Sequence, residues 1–130
     1  MKYVKSFLAA TLVFLLVDLL WITFFVRDTY AAALGSSMRE QPGVVAALLF
    51  YLGYIAGILY FAVRPALAAQ RIATAALSGA LLGALTYGTY ALTNQAIFTA
   101  WTWTITLSDI AWGAFLTAVT AVAGYVAARP

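Results

Sequence analysis

The 130-residue sequence contains no cysteine and no histidine. The first absence excludes disulfide bonds and thiolate chemistry, and the second removes the commonest general base, metal ligand and haem ligand. The only two lysines, Lys2 and Lys5, precede the first apolar run, so no lysine within an apolar segment can form a Schiff base. We therefore expect no metal and no cofactor.

Charge is also scarce, because 8% of the residues are charged while 65% are hydrophobic. Soluble globular domains carry roughly 25% charged residues. This composition is typical of an integral membrane protein, and we expect membrane lipid as its partner. The net charge of +3 fits basic loops that face anionic lipid or set the topology, so we do not expect nucleic acid as a partner.

Four apolar runs are long enough to cross a bilayer, which requires roughly 20 residues. They cover about residues 3–26, 44–63, 72–92 and 105–128. The sequence therefore predicts an all-α, polytopic membrane protein in which residues 1–130 form a single domain, a compact bundle of four transmembrane helices. The start "MKYVK" is similar to that of a signal peptide, but the apolar run behind it is too long and contains an acid, so we expect the first helix to be retained.

The distribution of basic residues predicts the direction of the helices. Five of them lie on the side that holds both termini and the second loop, against two in the first loop: Lys2, Lys5, Arg64, Arg71 and Arg129 against Arg27 and Arg39. Because cytoplasmic segments carry the excess of Lys and Arg, both termini are expected in the cytoplasm. Trp101 and Trp103 then fit an aromatic belt at the outer interface.

Small residues indicate which helix surfaces meet. Gly53 and Gly57 form a GxxxG motif in the second helix, Gly79 and Gly83 form another in the third, and the fourth has a looser small-residue ridge. Such ridges let helix backbones approach closely in lipid. We expect them to pack the bundle internally; a homodimer or a larger membrane complex is the alternative.

A layer of polar and aromatic side chains is predicted in the outer half of the membrane, with contributions from all four helices. Asp18 and Trp21 are three residues apart, as are Asp109 and Trp112, so each pair shares a helix face. The candidate ligand-binding residues are Asp18, Trp21, Tyr51, Tyr54, Tyr87, Tyr90, Asn94, Asp109 and Trp112.

The two acids have a functional and a structural interpretation. An ionisable residue inside a span is a functional-site hypothesis by default, because its burial is costly. The structural alternative is that both acids only accept hydrogen bonds between helices. Without a buried basic partner, we expect one carboxyl group to hold a proton at neutral pH, unless Arg27 or Arg39 reaches in from the first loop.

Several segments carry a family resemblance: "YGTYALTNQAIFTAW", "TLSDIAWG", "VDLLWI" and "FYLGYIAGILYFAVRPAL". Together they resemble a bacterial family of small integral membrane proteins catalogued as domain of unknown function 2177, over nearly the whole chain. Members usually carry an acid where this chain has Ala91, so Asp18 and Asp109 are the only candidate acids in the spans. The resemblance implies a bacterial inner-membrane location, no established activity, and a setting near enzymes that modify membrane fatty acids, such as cyclopropane synthases.

Three functions are compatible with these features. The first is binding of a lipid or amphipathic small molecule in the polar and aromatic layer, as an accessory to membrane fatty-acid modification. The second is proton-coupled transport of a small molecule, or a channel, and the third is an intramembrane lipid-modifying enzyme with Asp18 and Asp109 as general acid and base. We favour binding, because aromatic walls with a few convergent polar groups suit such ligands.

Overall fold

The computed structural model describes all 130 residues and is all-helical. Four helices are long and apolar enough to span a membrane: α1 (Lys2–Ser37), α2 (Val44–Ala69), α3 (Ile72–Ile97) and α4 (Trp103–Ala128). The prediction of four apolar helices is therefore confirmed. Residues 38–43 and 98–102 connect the helices at one end, which we call the Trp101 end. Both termini and residues 70–71 lie at the other end, which we call the termini end.

Helix α1 continues well beyond the predicted end of its span. Its segment Arg27–Leu34 is helical, although the sequence analysis placed Arg27 and Asp28 in the first loop. Both side chains are exposed, so the helix passes the end of the apolar run without burying charge. The end of an apolar run marks the edge of the membrane-spanning part, but the helix continues as long as its backbone hydrogen bonds do.

Two π-helical turns interrupt the α-helical pattern, at Ile22–Val26 in α1 and Leu59–Val63 in α2. In the first, the N–H of Arg27 donates to the carbonyl of Ile22, five residues earlier. Each such turn accommodates one extra residue, which rotates the following segment by roughly 100° about the helix axis. The second turn lies just before Pro65, which has no N–H to donate.

Helices α3 and α4 pack against each other along their glycine ridge. A methyl group added at Gly79 would lie 2.8 Å from the Thr117 carbonyl oxygen, and one at Gly83 would overlap the backbone of Gly113. The expectation of internal packing is correct for this motif. Helix α1 packs on the other side of α4 and, with α2, encloses a core around Phe14, Ile58 and Leu116.

The GxxxG motif of α2 does not pack inside the protein, contrary to the expectation for Gly53 and Gly57. No heavy atom lies within 4 Å of a methyl group added at either position. Helix α2 joins the other helices mainly through its part nearest the termini end, where Ile55, Ile58 and the segment Leu59–Val63 contact them. Its other part, from Val44 to Leu52, is largely exposed. Association through this open ridge stays a prediction.

The two glycine motifs give a matched test of packing. Gly83→Ala should lower the melting temperature in detergent, because overpacking at a tight contact costs about 1–3 kcal/mol. Gly53→Ala should leave it unchanged, because the added methyl group meets open space. Equal melting temperatures of the two variants would contradict the packing of α3 on α4 described above.

Candidate functional site

Asp18 lies near the middle of α1 and is held by aromatic donors from two other helices. Its Oδ2 accepts a hydrogen bond from the Tyr51 hydroxyl at 3.1 Å, and its Oδ1 accepts one from Trp112 Nε1 at 3.2 Å. The side chain is 8% exposed. The Trp112 ring also stacks on Trp21, with ring centroids 4.5 Å apart and an interplanar angle of 6°. Asp18 therefore links α1, α2 and α4.

Asp109 lies on α4, nearer the Trp101 end, and is 4% exposed. The Tyr30 hydroxyl of α1 donates a hydrogen bond to its Oδ2. Trp101 packs edge-on against Tyr30 and Tyr90, with ring centroids 5.5 Å and 5.6 Å away. Trp101 itself is 5% exposed and donates from Nε1 to Thr106 at 3.0 Å. Tyr30 therefore connects Asp109 to a cluster of aromatic rings at the Trp101 end.

The acids have aromatic partners and no basic ones. The hydrogen bonds that their carboxyl oxygens accept come from Tyr30, Tyr51 and Trp112. Arg27 and Arg39 are exposed and donate none of these bonds. The alternative that an arginine reaches in from the first loop is therefore wrong in this structure.

A second polar cluster lies beside the acids and links α2, α3 and α4. The Tyr54 hydroxyl is 2.9 Å from Thr86 Oγ1 and 2.6 Å from Thr117 Oγ1. The Phe14 ring packs edge-on against both Tyr51 and Tyr54, with centroids 5.4 Å and 5.9 Å away. Phe14 therefore fixes the two tyrosines in their separate hydrogen bonds.

A partly open cavity of about 380 Å³ lies between α2 and α3, lined by Phe50, Thr86, Tyr87 and Tyr90. Tyr87 rests against Gly113, where an added methyl group would overlap its ring. On the α2 side, the Phe50 ring packs against Tyr51, with centroids 5.7 Å apart, and Tyr51 donates to Asp18. One residue therefore separates this wall of the cavity from the Asp18 carboxyl group.

The structure does not bring all nine predicted site residues together. Asp109 binds Tyr30, which is outside the predicted set. Asp18, Trp21, Tyr51 and Trp112 are in direct contact, whereas Tyr54 binds threonines instead of an acid. Tyr87 and Tyr90 line the cavity. Asn94 lies beside Tyr90 and touches neither carboxyl group.

Several residues of this region are not among the predicted site residues. Tyr30 follows the end of the predicted span at residue 26, so the sequence gives no reason to include it, and the π turn Ile22–Val26 that precedes it has no sequence signal. Trp101 and Trp103 are both predicted for an interfacial belt; in the structure Trp101 is 5% exposed and Trp103 is 60% exposed, so only Trp103 presents its ring at the surface. Phe50 and Thr86 do have a signal in their spacing, since each lies four residues before a predicted tyrosine, Tyr54 and Tyr90, and so shares its helix face.

No group of three or more His, Cys, Asp or Glu side chains lies close enough to hold a metal ion. The chemistry available at the site is therefore acceptance of hydrogen bonds by carboxylates, donation by hydroxyl and indole groups, and contact with aromatic faces. This set suits the binding of a polar group at a membrane-embedded surface.

Four apolar helices with two buried acids define a polytopic membrane protein. Residues 3–126 match the family described as predicted membrane protein (DUF2177), and the chain belongs to that family. The family resemblance seen in the sequence is thus confirmed over nearly the whole chain. No curated protein matches the chain, and no solved structure does.

The hydrogen bond from Tyr30 to Asp109 can be tested by removing only the hydroxyl group of Tyr30. Tyr30→Phe should lower the melting temperature, because it leaves a buried carboxyl group without its donor; bonds between helices in membranes contribute up to about 1.7 kcal/mol. Tyr60→Phe is the control, because Tyr60 is 59% exposed. A double-mutant cycle with Asp109→Asn should show coupling for Tyr30 and none for Tyr60. Additivity in both cycles would contradict the contact.

Proposed function

We propose that this protein binds a membrane lipid or another amphipathic small molecule between α2 and α3, with the polar end of the ligand directed at Asp18 and Asp109. The observation that carries the proposal is the cavity, whose lining residue Phe50 packs against Tyr51, the donor to Asp18. Its volume of about 380 Å³ lies within the usual range of ligand pockets, roughly 300–1,000 Å³. Its residues are three aromatic side chains and one threonine.

Unused hydrogen-bonding capacity supports a polar ligand group at this site. Asp109 accepts its tyrosine bond at Oδ2, so its Oδ1 is available to a further donor. A carboxylate can accept about four hydrogen bonds. Tyr87 donates to neither acid, since those bonds come from other residues. A ligand that enters from the cavity would meet the Tyr87 hydroxyl first.

The exposed surface of α2 supports an apolar chain on the ligand. Leu48, Leu49 and Leu52 are more than half exposed and lie on the same part of α2 as Phe50. In a bilayer these side chains contact lipid tails. An amphiphile could therefore keep its chain among the lipids while its polar end occupies the cavity.

The setting assumed by this proposal is the bacterial inner membrane with both termini in the cytoplasm. The five basic residues on the side of the termini, against two in the first loop, support that direction. A lipid-binding role is compatible with an accessory function in membrane fatty-acid modification, because such enzymes act on the lipids that this site would hold.

Native mass spectrometry of protein purified in mild detergent tests the binding proposal. The wild type should retain one amphiphile, while Asp18→Asn and Asp109→Asn should retain less of it, because each replaces a carboxyl group of the proposed site by an amide. Asp28→Asn is the control, since Asp28 is exposed on the same helix as Asp18. Melting temperatures identify any variant that fails to fold. Ligand-free wild-type protein, or equal loss in the control, would contradict the proposal.

Proton-coupled transport is the second candidate, and one observation favours it. Ser6 Oγ and Thr120 Oγ1 are fully buried toward the termini end and have no hydrogen-bond partner. Buried hydroxyls in this condition are places where ordered water is expected. Together with Thr117 they extend polar groups from the acid layer toward the termini end.

Proton flux into liposomes tests this second candidate. If water at Thr120 carries protons, Thr120→Val should reduce flux under an imposed potential, as should Asp18→Asn. Thr89→Val is the control, because Thr89 is exposed and bonds only to its own helix. If the protein does not transport protons, flux will equal that of empty liposomes, and Thr120→Val will only raise stability by removing an unsatisfied buried group.

A further inference from the structure

We propose that the polar end of the ligand is an organic ammonium group, which is held by the rings of Phe50, Tyr87 and Tyr90 in front of the carboxyl groups. This inference rests on the proposed function and adds the chemical class of the ligand. It depends on three observations: the charge of the layer, the aromatic walls of the cavity, and the composition of the other cavities.

The charge of the layer selects against anions. Asp18 and Asp109 are buried, and their hydrogen bonds come from neutral tyrosine and tryptophan groups. A phosphate, sulfate or carboxylate at this place would find no cationic donor and would be repelled by any ionised carboxylate. A cation would be attracted, and the attraction is strong where water is scarce.

The walls of the cavity also suit a cation. Three of its four lining residues are aromatic, and the face of an aromatic ring attracts an ammonium group within about 6 Å of its centroid. Phe50 stacks on Tyr54, with centroids 5.1 Å apart and an interplanar angle of 15°, so its ring has a fixed orientation. Rings from two different helices therefore flank the space that the ammonium would occupy.

Two other sizeable cavities differ from this one in charge. One of about 450 Å³ includes Arg64 beside Tyr60, and one of about 470 Å³ includes Lys2, Lys5 and Arg129. Both lie toward the termini end and offer cationic groups to anions. The cavity beside the acids has no basic residue among its lining. Anionic and cationic groups would therefore bind at opposite ends of the protein.

A set of probes with the same chain and different head groups tests the inference. The protein is placed in nanodiscs of uncharged lipid, and hexyltrimethylammonium, hexyl glucoside and hexyl sulfate are titrated by calorimetry against empty nanodiscs. The trimethylammonium probe should bind about tenfold tighter than the glucoside. The sulfate probe should bind no tighter than the glucoside when Lys2, Lys5, Arg64 and Arg129, the basic residues of the other two cavities, are replaced by Gln.

Matched variants locate the preference at the cavity. Phe50→Leu should weaken binding of the ammonium probe roughly 3- to 30-fold, because it removes one cation–π contact. Phe61→Leu is the control, because Phe61 is 60% exposed and lines none of the three cavities. Asp109→Asn should weaken the ammonium probe and leave the glucoside unchanged.

The outcomes separate this inference from the proposed function. Equal binding of the ammonium and glucoside probes, both reduced by Phe50→Leu, would overturn the ammonium inference and leave amphiphile binding intact. Tighter binding of sulfate than of glucoside, in the variant that lacks the basic residues of the other two cavities, would also overturn it. Absence of binding by every probe, together with ligand-free protein in mass spectrometry, would contradict both proposals.

Discussion

Two carboxyl groups lie inside this protein without a lysine, arginine or histidine beside them. The helices pack around them so that aromatic side chains supply the hydrogen-bond donors that they need. Water is scarce at this depth, so each buried oxygen needs a donor from the protein. Tyr51 and Trp112 supply donors to Asp18, and Tyr30 supplies one to Asp109. These donors come from α1, α2 and α4. The acids therefore set the position of three helices relative to one another.

Close backbone contact between α3 and α4 complements this arrangement. The glycines at positions 79, 83 and 113 let the two helices approach, and Gly113 leaves room for the ring of Tyr87. Helix α2 has no such contact at Gly53. Its apolar side chains between Ile55 and Val63 join it to the other helices near the termini end, and beyond them the connections are the hydroxyl groups of Tyr51 and Tyr54. An interface made of long aromatic side chains keeps helix axes further apart than one made of glycine. The cavity lined by Phe50 and Tyr87 is the space that results.

The fold was largely predictable because a bilayer allows few solutions. Apolar runs of sufficient length must become helices, since each backbone N–H and C=O needs a partner inside the span. The depth of polar residues along each run also placed Asp18, Tyr51 and Trp112 in one layer, and the structure joins these three directly. The depth of a residue in the membrane follows from its position along the apolar run, so the sequence alone predicted this part of the site.

Rotation about the helix axis was not predictable in the same way. Gly53 and Gly57 have the same spacing as Gly79 and Gly83, yet the second pair packs and the first does not. The sequence of one helix shows which of its faces carries small residues. Whether another helix packs on that face depends on the partner helices. Tyr30 shows the same limit, because its position depends on a π turn within the apolar segment Ile22–Val26.

The energies of hydrogen bonds in membranes bear on whether the acids serve only to hold the helices together. A bond between helices contributes about 0.6 kcal/mol on average and about 1.7 kcal/mol at most. An Asp at the centre of a span costs about 2.5–3.5 kcal/mol to insert, and less toward the interface. Asp18 accepts two such bonds and Asp109 accepts one.

By these values, two average bonds fall short of the cost of inserting Asp18 at the centre of a helix. Asp109 has half as many bonds, although its position nearer the Trp101 end lowers its cost. A threonine or asparagine would provide a bond between helices with less cost of insertion. Stability alone therefore gives little reason to place carboxyl groups here, whereas a charge that meets a ligand gives a direct one. This reasoning applies most directly to Asp109. Its Oδ2 accepts a hydrogen bond from Tyr30, which orients the carboxyl group, and its Oδ1 stays available to a ligand.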